Sequence, residues 1–450
     1  MQQFEIIIQS ISDFLWNWPM IILLIGTHIY LTFRLRFPQR KIFTAIKLSI
    51  THDNLSKGDV SQFAALSTAL AATIGTGNII GVATAISLGG PGAVFWCWVT
   101  GIFGIATKYS EGLLAIKYRI TNKNGEMSGG PMYALEKGLK MRWLAILFCI
   151  FTAIAALGIG NMVQSNSIAL LVNDTWGIPH NISGIFVAIL VMLVIIFGVK
   201  GIAKVCTTLV PLMAIFYIIG CIWILILNFN YIPAAISLIV DSAFSTEAIG
   251  GGFLGSAMIV AMRYGIARGL FSNESGLGSA PIVAAAAQTR NPVRQALVSA
   301  SGTFWDTVII CALTGIVLVS CIIAYPDIDT SLGGTLTTAA FSKLPIFGNT
   351  ILTISLFTFA FSTILGWCYY GEKSIEYLSG VKYVKFYRII WIVAVFLGAI
   401  INLSVVWTIS DIMNALMALP NIVSLLLLSG VIVKETKYYL WDKHLNDFGN

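Results

Sequence analysis

The feature that most constrains this chain is a series of long apolar stretches in which charged residues are scarce. Only 10% of its 450 residues are charged, whereas about 25% is usual in soluble globular proteins. So few charges cannot coat a soluble body of this size, which argues strongly against a soluble enzyme. A helix that crosses a hydrocarbon core ~30 Å thick needs about 20 mostly apolar residues. The eleven candidate spans are 14–33, 60–88, 92–116, 143–172, 183–199, 203–228, 246–288, 293–323, 346–371, 386–405 and 410–433.

Lys and Arg are distributed unevenly among the segments that join these spans. The first thirteen residues contain neither, whereas the segment 34–57 contains six. Basic segments then alternate with segments that have few or no basic residues, if Arg263, Arg268, Arg290 and Arg294 are counted together as one basic segment. Because cytoplasmic loops carry the excess of Lys and Arg, we predict that the N-terminus is outside and the C-terminus is cytoplasmic. The net charge of +7 then reflects membrane insertion and gives no reason to expect a nucleic-acid partner.

Sequence patterns of hydrolases, nucleotide-binding loops and metal clusters do not occur in the chain. The seven Cys fall almost wholly inside the apolar stretches, as expected of a small apolar residue. Lys108 and Glu111 lie one turn apart near a predicted helix end, so we expect them to form a surface pair. Asp306 falls inside the eighth candidate span and has no evident partner.

A polar, glycine-containing run interrupts the second candidate span near its middle. This run, 73–81, reads TIGTGNIIG. Irregular backbone is tolerated inside a membrane only where it is buried in protein or lines a cavity. Gly75 and Gly77 loosen the backbone, while Thr76 and Asn78 supply polar side chains, which close packing through small residues alone does not require. We therefore predict a broken helix at this run.

Two glycine-containing runs in the seventh candidate span compete as the site of a second break. They are 250–256 (GGGFLGS) and 269–276 (GLFSNESG). Paired interruptions in two halves of a chain indicate inverted repeats with a binding site at the membrane midplane. An internal repeat favours the second run, because 278–283 (GSAPIV) resembles the residues that follow the first break (GVATAI). A break there would place Arg268 and Glu274 deep in the membrane, where they would have to pair.

Several motifs, in the same order as here, resemble those of the alanine/glycine:cation symporter family. The similarity covers about residues 50 to 430, and its most specific part is the run 89–101, in which the family usually has Met in place of Cys97. The motifs are GTGNI at 75–79, GVA at 81–83, GGPGAVFWCWVTG at 89–101, GGPMY at 129–133, GNMVQS at 160–165 and RGLFSNESG at 268–276.

The resemblance implies an all-α polytopic membrane protein of the LeuT type, with about 11 transmembrane helices of which two are discontinuous. Two inverted five-helix repeats would occupy 59–230 and 231–408. An extra N-terminal helix with a cytoplasmic amphipathic segment would precede them (1–58), and a final helix with a cytoplasmic tail would follow (409–450). The resemblance also implies sodium-coupled symport of alanine or glycine across the cell membrane, with no organic cofactor and no enzymatic activity.

A small zwitterion needs donors for its carboxylate and acceptors for its ammonium group. Helix N-termini bind anions, so we assign the carboxylate to the backbone of Thr76 and Gly77. The resemblance adds Gln164 to the carboxylate site. We assign the ammonium group partly to carbonyls of the second break, near Gly269. Trp367 is the candidate lid over the substrate, mainly on the strength of the resemblance.

The resemblance also carries over a sodium site. Na⁺ prefers carbonyl and hydroxyl oxygens, which adjacent Ser362 and Thr363 could supply from one helix. The carbonyls of Ala71 and Ile74, just before the first break, would complete the site. On residues alone, such hydroxyls are more often bonded to their own helix.

Two other transport activities remain open at this point. A proton-coupled amino-acid permease is the first alternative, although no carboxylate is evidently positioned to serve the cation site. A channel is the second, although the chain has no ring of charges and no filter-like repeat. A membrane enzyme is less favoured still, for want of a catalytic cluster.

Overall fold

The regular structure of the chain is almost wholly helical. A computed structural model describes residues 2–51, 56–245 and 258–449. Within them the strands form one antiparallel hairpin, β1 (Ile120–Thr121) with β2 (Met127–Ser128). The α-helices are α1 (Gln2–Leu15), α2 (Trp18–Arg34), α3 (Ile42–Ser49), α4 (Gln62–Thr73), α5 (Val82–Gly89), α6 (Gly92–Lys117), α7 (Pro131–Tyr133), α8 (Arg142–Leu157), α9 (Val163–Trp176), α10 (His180–Ile195), α11 (Gly198–Leu227), α12 (Ile232–Phe244), α13 (Met258–Asn273), α14 (Pro281–Ala284), α15 (Pro292–Thr303), α16 (Ala312–Ala324), α17 (Leu336–Phe341), α18 (Gly348–Ser379), α19 (Val384–Ile400), α20 (Ser404–Leu427) and α21 (Ser429–Thr436).

Many of these helices are long and apolar enough to cross a membrane. Seven helical segments of the described ranges meet that requirement by length and composition. The pair Gln62–Thr73 and Gly77–Gly89 meets it together and is bent by 51°. The predicted spans that fall in the described ranges coincide with helices or helix pairs, with individual ends that differ by up to eight residues. The prediction of a multi-pass helical membrane protein is therefore confirmed.

The first predicted break is present between α4 and α5. Helix α4 ends at Thr73, because Ile74 leaves the helical region with φ −76° and ψ 91°. A π-helical turn, Gly77–Gly81, then leads directly into α5. The break is held from inside, since the Asn78 side-chain oxygen accepts a hydrogen bond of 2.9 Å from the backbone N–H of Gly75.

The second break lies a few residues later than the predicted run 269–276. Helix α13 continues through Asn273, and the backbone then turns through Glu274, Gly276 and Gly278, whose φ angles are 53°, 90° and 87°. These positive φ values end the helix, because a right-handed α-helix requires negative φ, and two of the three positions are glycines, which adopt positive φ readily. The competing run 250–256 lies outside the described residues.

Gly269 is therefore inside a helix and does not belong to the unwound backbone. It lacks a side chain for a different reason, which is packing against α6. A Cβ atom there would collide with the Thr100 hydroxyl and would lie 3.2 Å from the backbone of Cys97. The assignment of the ammonium group to carbonyls near Gly269 stays a prediction, and the helical position of Gly269 disfavours its own carbonyl as a ligand.

Two π-helical segments interrupt other long helices close to the breaks. Gly158–Met162 joins α8 to α9, and Phe304–Cys311 joins α15 to α16. Such segments are rare and are often found at functional sites. Here the first contains Ile159, whose carbonyl is bound by a side chain of the site, and the second contains Asp306.

Different hydrogen bonds tie the chain together at the two ends of the helical bundle. At one end the indole N–H of Trp16 donates to the carbonyl of Asp411, 2.9 Å away. At the other, Tyr30 and Ser429 are joined by a hydrogen bond of 3.2 Å. Asp411 and Ser429 lie near opposite ends of the continuous stretch α20–α21, so at 1.5 Å per helical residue the two ends are roughly 27 Å apart. We call them the Asp411 end and the Ser429 end.

The four Arg counted together in the sequence lie at opposite ends of the bundle. Arg263 and Arg268 line a cavity with Trp16 and Asp411. Arg290 and Arg294 instead contact Asn446 in the C-terminal segment, at the Ser429 end. Treating the four as one basic segment is therefore wrong, because the chain crosses the bundle between the two pairs.

The β1–β2 hairpin follows α6 at the Ser429 end and ties other elements together there. Asp59, just before α4, accepts a hydrogen bond of 2.7 Å from the backbone N–H of Met127. Burial raises the pKa of this carboxyl group, and the Met127 N–H partly opposes that effect. Ser128 donates to Glu376 of α18 at 3.0 Å. The hairpin thereby links the start of the first broken helix to the end of α18.

Candidate substrate and cation site

The two helix breaks face each other across one small buried cavity. The backbones are in contact there, because a Cβ atom on Gly77 would lie 3.4 Å from the Phe271 ring and 3.5 Å from Cα of Ser272. The cavity measures about 20 Å³, roughly the space of one water molecule. It is lined by Ala72, Thr73, Gly75, Thr76, Gly77, Ile159, Gln164, Phe271, Glu274, Leu277, Thr363, Trp367 and Asn414.

Four of the five residues predicted to bind substrate line this cavity, and they come from three separate parts of the fold. Thr76 and Gly77 belong to the first break, Gln164 to α9 and Trp367 to α18. Gly269 is not among the lining residues. The sequence motifs therefore select residues that the fold brings together, with Gly269 as the exception.

The orientation of the Gln164 amide is determined by its surroundings. Its Nε2 donates to the Ile159 carbonyl at 3.0 Å and to the Thr76 hydroxyl at 3.2 Å. Because a carbonyl can only accept, the amide NH₂ must point towards Ile159. The Oε1 atom is buried and has no hydrogen-bond partner among the described residues. Gln164 thus presents an acceptor, and not a donor, as its uncommitted group.

Trp367 forms one wall of the cavity and packs closely against α8–α9. Its side chain is 2% exposed. A Cβ atom on Gly160 would collide with it, so this glycine permits the close approach of the two helices. The Trp367 ring also meets Tyr370 edge to face, with centroids 5.5 Å apart. These contacts fix the indole and set the width of the cavity.

Two polar residues that sequence reasoning did not place in the site also line the cavity. Glu274, at the start of the second break, accepts a hydrogen bond of 2.5 Å from Ser279. Asn414 of α20 is 1% exposed, and its Oδ1 atom has no partner within the described ranges. The motif around Glu274 marked it as a deep charge. Asn414 gave no signal, because its helix carries no motif.

The predicted sodium ligands converge on the last turn of α4. The hydroxyls of Ser362 and Thr363 lie 3.3 and 3.1 Å from the carbonyl oxygen of Ala71. Both also donate to the Phe359 carbonyl of their own helix, at 2.9 and 3.0 Å. Ile74 is the first residue beyond that turn. Three of the four predicted ligands, Ala71, Ser362 and Thr363, are therefore close together, although the hydroxyls also make the local bonds expected of any membrane helix.

Gly75 makes this arrangement possible. A Cβ atom on it would lie only 2.6 Å from Oγ1 of Thr363. A side chain at this position would displace the hydroxyl from α4. The absence of a side chain here is thus required by the close approach of α18 to the first break.

Asp306, which had no evident partner in the sequence, connects the two broken helices. One carboxylate oxygen accepts from Asn78 of the first break at 2.7 Å. The other accepts from Ser272 of α13 at 3.0 Å and from Thr307 at 2.6 Å. A buried carboxylate is stable only when such donors surround it. Asp306 therefore fixes the first break against the helix that precedes the second.

The expectation that Lys108 and Glu111 form a surface pair is wrong. Both are buried, with 3% and 2% exposure. Glu111 Oε1 accepts from the backbone N–H groups of Gly276 and Gly278, at 3.0 and 3.1 Å, and from Asn421 at 2.7 Å. Unwound backbone leaves N–H groups without helical partners, and this carboxylate satisfies two of them. The spacing of the pair on α6 could not reveal a partner that lies far along the chain.

Comparison with known proteins identifies the family. Residues 1–447 match the family described as the sodium:alanine symporter family. The chain is 50% identical over 444 residues to the sodium/alanine symporter AgcS of Methanococcus maripaludis, and the alignment covers 97% of each protein. The chain belongs to the sodium:alanine symporter family. The resemblance seen in the sequence motifs is therefore confirmed.

Other relatives extend this sodium:alanine symporter comparison in sequence and in fold. An uncharacterized transporter of Haemophilus influenzae is 51% identical over 448 residues, which cover 99% of this chain and 98% of that protein. A Na⁺-coupled sialic acid symporter, solved in a substrate-bound outward-open state, is 12% identical with a TM-score of 0.52. That match covers 94% of this chain and 86% of the other. At such low identity it shows the fold alone, which is that of LeuT-like transporters.

Proposed function

We propose that this member of the sodium:alanine symporter family couples the entry of Na⁺ to the uptake of alanine, glycine or a similar small neutral amino acid. The observation that carries the proposal is the cavity between the two breaks. One of its walls is the start of a helix, and the other walls carry acceptor oxygens. This polarity suits a zwitterion, whose two charged groups need opposite partners.

The carboxylate of the substrate binds at the first break in this proposal. The leading N–H groups of a helix have no partner within the helix and lie at the positive end of its dipole. Thr76 and Gly77 occupy that position before the turn that leads into α5. Their backbone N–H groups therefore receive the carboxylate, as the sequence analysis anticipated.

The ammonium group binds on the opposite side, and this differs from the sequence-based assignment. Gln164 offers Oε1 to the cavity, which can accept from an ammonium group but cannot bind a carboxylate. Glu274 supplies a carboxylate, the strongest acceptor in the lining. We therefore move Gln164 from the carboxylate site to the ammonium site and replace Gly269 by Glu274.

The size of the cavity supports a small side chain. Trp367 and Phe271 flank it, and its volume of about 20 Å³ is closed to any amino acid without some movement of the walls. Binding must therefore accompany a conformational change, as alternating access requires.

Na⁺ is the coupling ion in this proposal, held by Ser362, Thr363 and the carbonyls of Ala71 and Ile74. These are the hard oxygen donors that such a cation prefers, and unwound carbonyls beside a broken helix serve this purpose in transporters. The same segment also leads into the substrate-binding backbone, so ion binding at Ala71 and Ile74 would order Thr76 and Gly77. By linkage, the substrate would tighten Na⁺ binding by the same factor.

The proposed architecture has about eleven transmembrane helices, with repeats at 59–230 and 231–408 preceded by the extra segment 1–58. It is supported by the positions of the two broken helices, each near the start of a repeat. The N-terminus is placed outside the cell membrane and the tail after 409 inside. Moving Arg263 and Arg268 to the outer end weakens the charge asymmetry, but the basic segments 34–57 and 117–142 remain on the inner side.

Proton coupling is the second candidate, and one observation favours it. The carboxylates of Glu274 and Asp306 are buried beside the site, so titratable groups that could carry a proton are present there. The oligomeric state does not enter either proposal.

Purified protein in liposomes separates the two candidates. Uptake of labelled alanine is measured with an inward Na⁺ gradient at equal pH, and then with a pH gradient in the absence of Na⁺. Sodium coupling predicts accumulation only in the first case. Accumulation that ignores Na⁺ and follows the pH gradient would establish the alternative. Conductance without saturable accumulation would exclude both.

A further inference from the structure

A second cavity lies on the far side of Phe271 from the substrate cavity. Its volume is about 150 Å³, and Phe271 is in the lining of both cavities. The second cavity is at the Asp411 end of the bundle, where α1, α13 and α20 meet. We call it the outer chamber. Its charged lining residues are Asp13, Arg263, Arg268 and Asp411, and Trp16 and Phe271 are among its aromatic ones.

The outer chamber contains opposite charges that do not neutralise each other by direct contact. Among the described residues, no ion pair of 4.0 Å or less involves Arg268 or Asp411. Asp411 and Arg268 nevertheless line the same cavity. The Arg268 guanidinium instead lies over the Phe271 ring, 6.0 Å from its centroid. Both charges therefore remain available to a third group.

The walls of the outer chamber are held in place by contacts between helices. The indole N–H of Trp16 donates to the Asp411 carbonyl at 2.9 Å, which ties the start of the chain to α20. Gly265 allows α13 to press against α6, because a Cβ atom there would lie 2.8 Å from Cβ of Trp96. Arg268 projects from this anchored helix. The two opposite charges are thus presented by elements whose spacing is fixed.

An α-amino acid is the ligand that matches this arrangement. A guanidinium group binds carboxylates through paired hydrogen bonds, and Asp411 can accept from an ammonium group. A zwitterion satisfies both charges at once and adds no net charge. A cavity of about 150 Å³ offers roughly ten times the space that one water needs. A lone cation or anion would satisfy one charge and leave the other without a partner.

We propose that the outer chamber is a second, transient binding site for the zwitterionic amino acid, from which the substrate passes Phe271 to the central cavity. The carboxylate is bound by Arg268 and the ammonium group by Asp411. Phe271 separates the two sites, and the guanidinium over its ring links occupancy of the outer chamber to the position of that ring. This inference rests on the proposed function and on its orientation in the membrane.

The test compares uptake kinetics with equilibrium binding in two separate variants, Arg268→Gln and Asp411→Asn. Liposome uptake driven by a Na⁺ gradient gives the KM for external alanine, and binding of labelled alanine to purified protein in Na⁺ gives the Kd of the central site. Each variant is expected to raise the KM about tenfold, and to change the central Kd by less than twofold. Arg268→Lys should keep most of the wild-type KM, because it retains the charge.

Lys343→Gln is the matched control. It removes one positive charge from a loop before α18, where Lys343 pairs with Asp327 at 2.6 Å, and it does not line the outer chamber. Its KM for alanine should stay within twofold of the wild-type value. A KM that rises equally in this control would mean that charge loss alone accounts for the effect, and would overturn the proposal.

Three further results would also overturn the proposal. The first is an unchanged KM in whichever of the two variants folds. The second is a central Kd that rises together with the KM, since the residues would then support the central cavity. The third is a change only in the Na⁺ concentration needed for half-maximal uptake, which would mean that the outer chamber attracts Na⁺ and does not bind the amino acid. If the wild-type protein itself shows no Na⁺-driven uptake, the proposed function fails, and that result is distinct from these three.

Discussion

The two helix breaks are held in different ways. The first is short and is held through one neutral side chain of its own, Asn78, which accepts from the Gly75 N–H and donates to Asp306. The second turns through three positive φ angles and is held from outside by the carboxylate of Glu111 on α6. Asn421 of α20 strengthens that hold by donating to the Gly276 carbonyl at 2.9 Å.

This difference indicates that the two breaks have different roles in transport. One side chain links the first break to Asp306, so this break can change shape once the Asn78–Asp306 hydrogen bond opens. A break bound by a charged group on α6 moves only if α6 moves or if the hydrogen bonds are lost. We therefore expect the first break to respond to Na⁺ and substrate, and the second to act as the fixed wall against which they bind.

The largest expected effect comes from removing the outside restraint on the second break. Glu111→Ala leaves the backbone N–H groups of Gly276 and Gly278 and the Asn421 amide buried without their acceptor, at a cost of about 1–3 kcal/mol for each of the three. Uptake should be lost and the protein should melt at a clearly lower temperature in detergent. Asn78→Ala is the matched change at the first break, and it should cost only about 1–3 kcal/mol. Equal losses of stability would contradict the proposed difference between the breaks.

The next largest effect concerns the cation beside the first break. The double change Ser362→Ala with Thr363→Ala removes two of the four proposed oxygen ligands, so Na⁺ should no longer stimulate alanine binding. Isothermal titration with and without Na⁺ measures this. Thr358→Ala is the control, because that hydroxyl bonds to Ile354 of its own helix at 2.9 Å. Sodium affinity that survives the double change would show that the ligands are wrongly assigned.

A smaller effect on alanine affinity is expected at Gln164, in the ammonium site opposite the first break. Gln164→Ala removes one acceptor from the ammonium group, which should raise the alanine Kd roughly tenfold or more. Sodium binding to the free protein should stay within twofold. Asn166→Ala on the same helix, which bonds to Gly398 at 3.1 Å, should leave the Kd unchanged.

Substrate analogues in the same variant test whether Gln164 binds the ammonium group or the carboxylate of the substrate. Alaninamide keeps the ammonium group and should lose affinity along with alanine. Propionate keeps only the carboxylate, so its weak competition should not change. The opposite pattern would return Gln164 to the carboxylate site.

The smallest effect is expected at Trp367, the wall of the cavity next to the second break, and it concerns which amino acids can bind. Trp367→Ala enlarges the cavity next to Glu274, and larger neutral amino acids should compete about tenfold better. A pocket that tests only for bulk discriminates by about 1–3 kcal/mol per methylene. Trp391→Ala truncates another buried Trp outside the cavity and should lower stability without widening the substrate range. If the same amino acids compete equally well in the Trp367 variant, the role of this residue is to pack the helices and not to limit substrate size.

Much of the site could be predicted because its residues lie within recognisable motifs. Thr76, Gly77 and Gln164 each belong to a run that combines glycine with polar side chains inside an apolar span. Such runs are unusual, since the membrane excludes unsatisfied backbone unless it lines a cavity. Asn414 could not be found in this way, because a single Asn in a helix has many structural uses.

The position of the second break shows what composition leaves open. Two glycine-containing runs in the same span both permitted a break, and local sequence offered no partner for the unwound backbone of either one. The observed break at Glu274–Gly278 has such a partner in Glu111, which is 165 residues from Gly276. The position of the observed break therefore depends on a contact between distant helices.

The sequence by itself determined that this chain is a multi-pass membrane protein, which family it belongs to, and where the first break lies. Apolar length, motif order and the polar glycine run are local properties and can be read along the chain. The tertiary structure alone decided at which end of the bundle Arg268 lies, which atom of the Gln164 amide remains free for a ligand, and what Glu111 binds. These depend on hydrogen-bond partners and neighbours that are supplied by other helices, and a buried polar group has no defined role until those partners are in place.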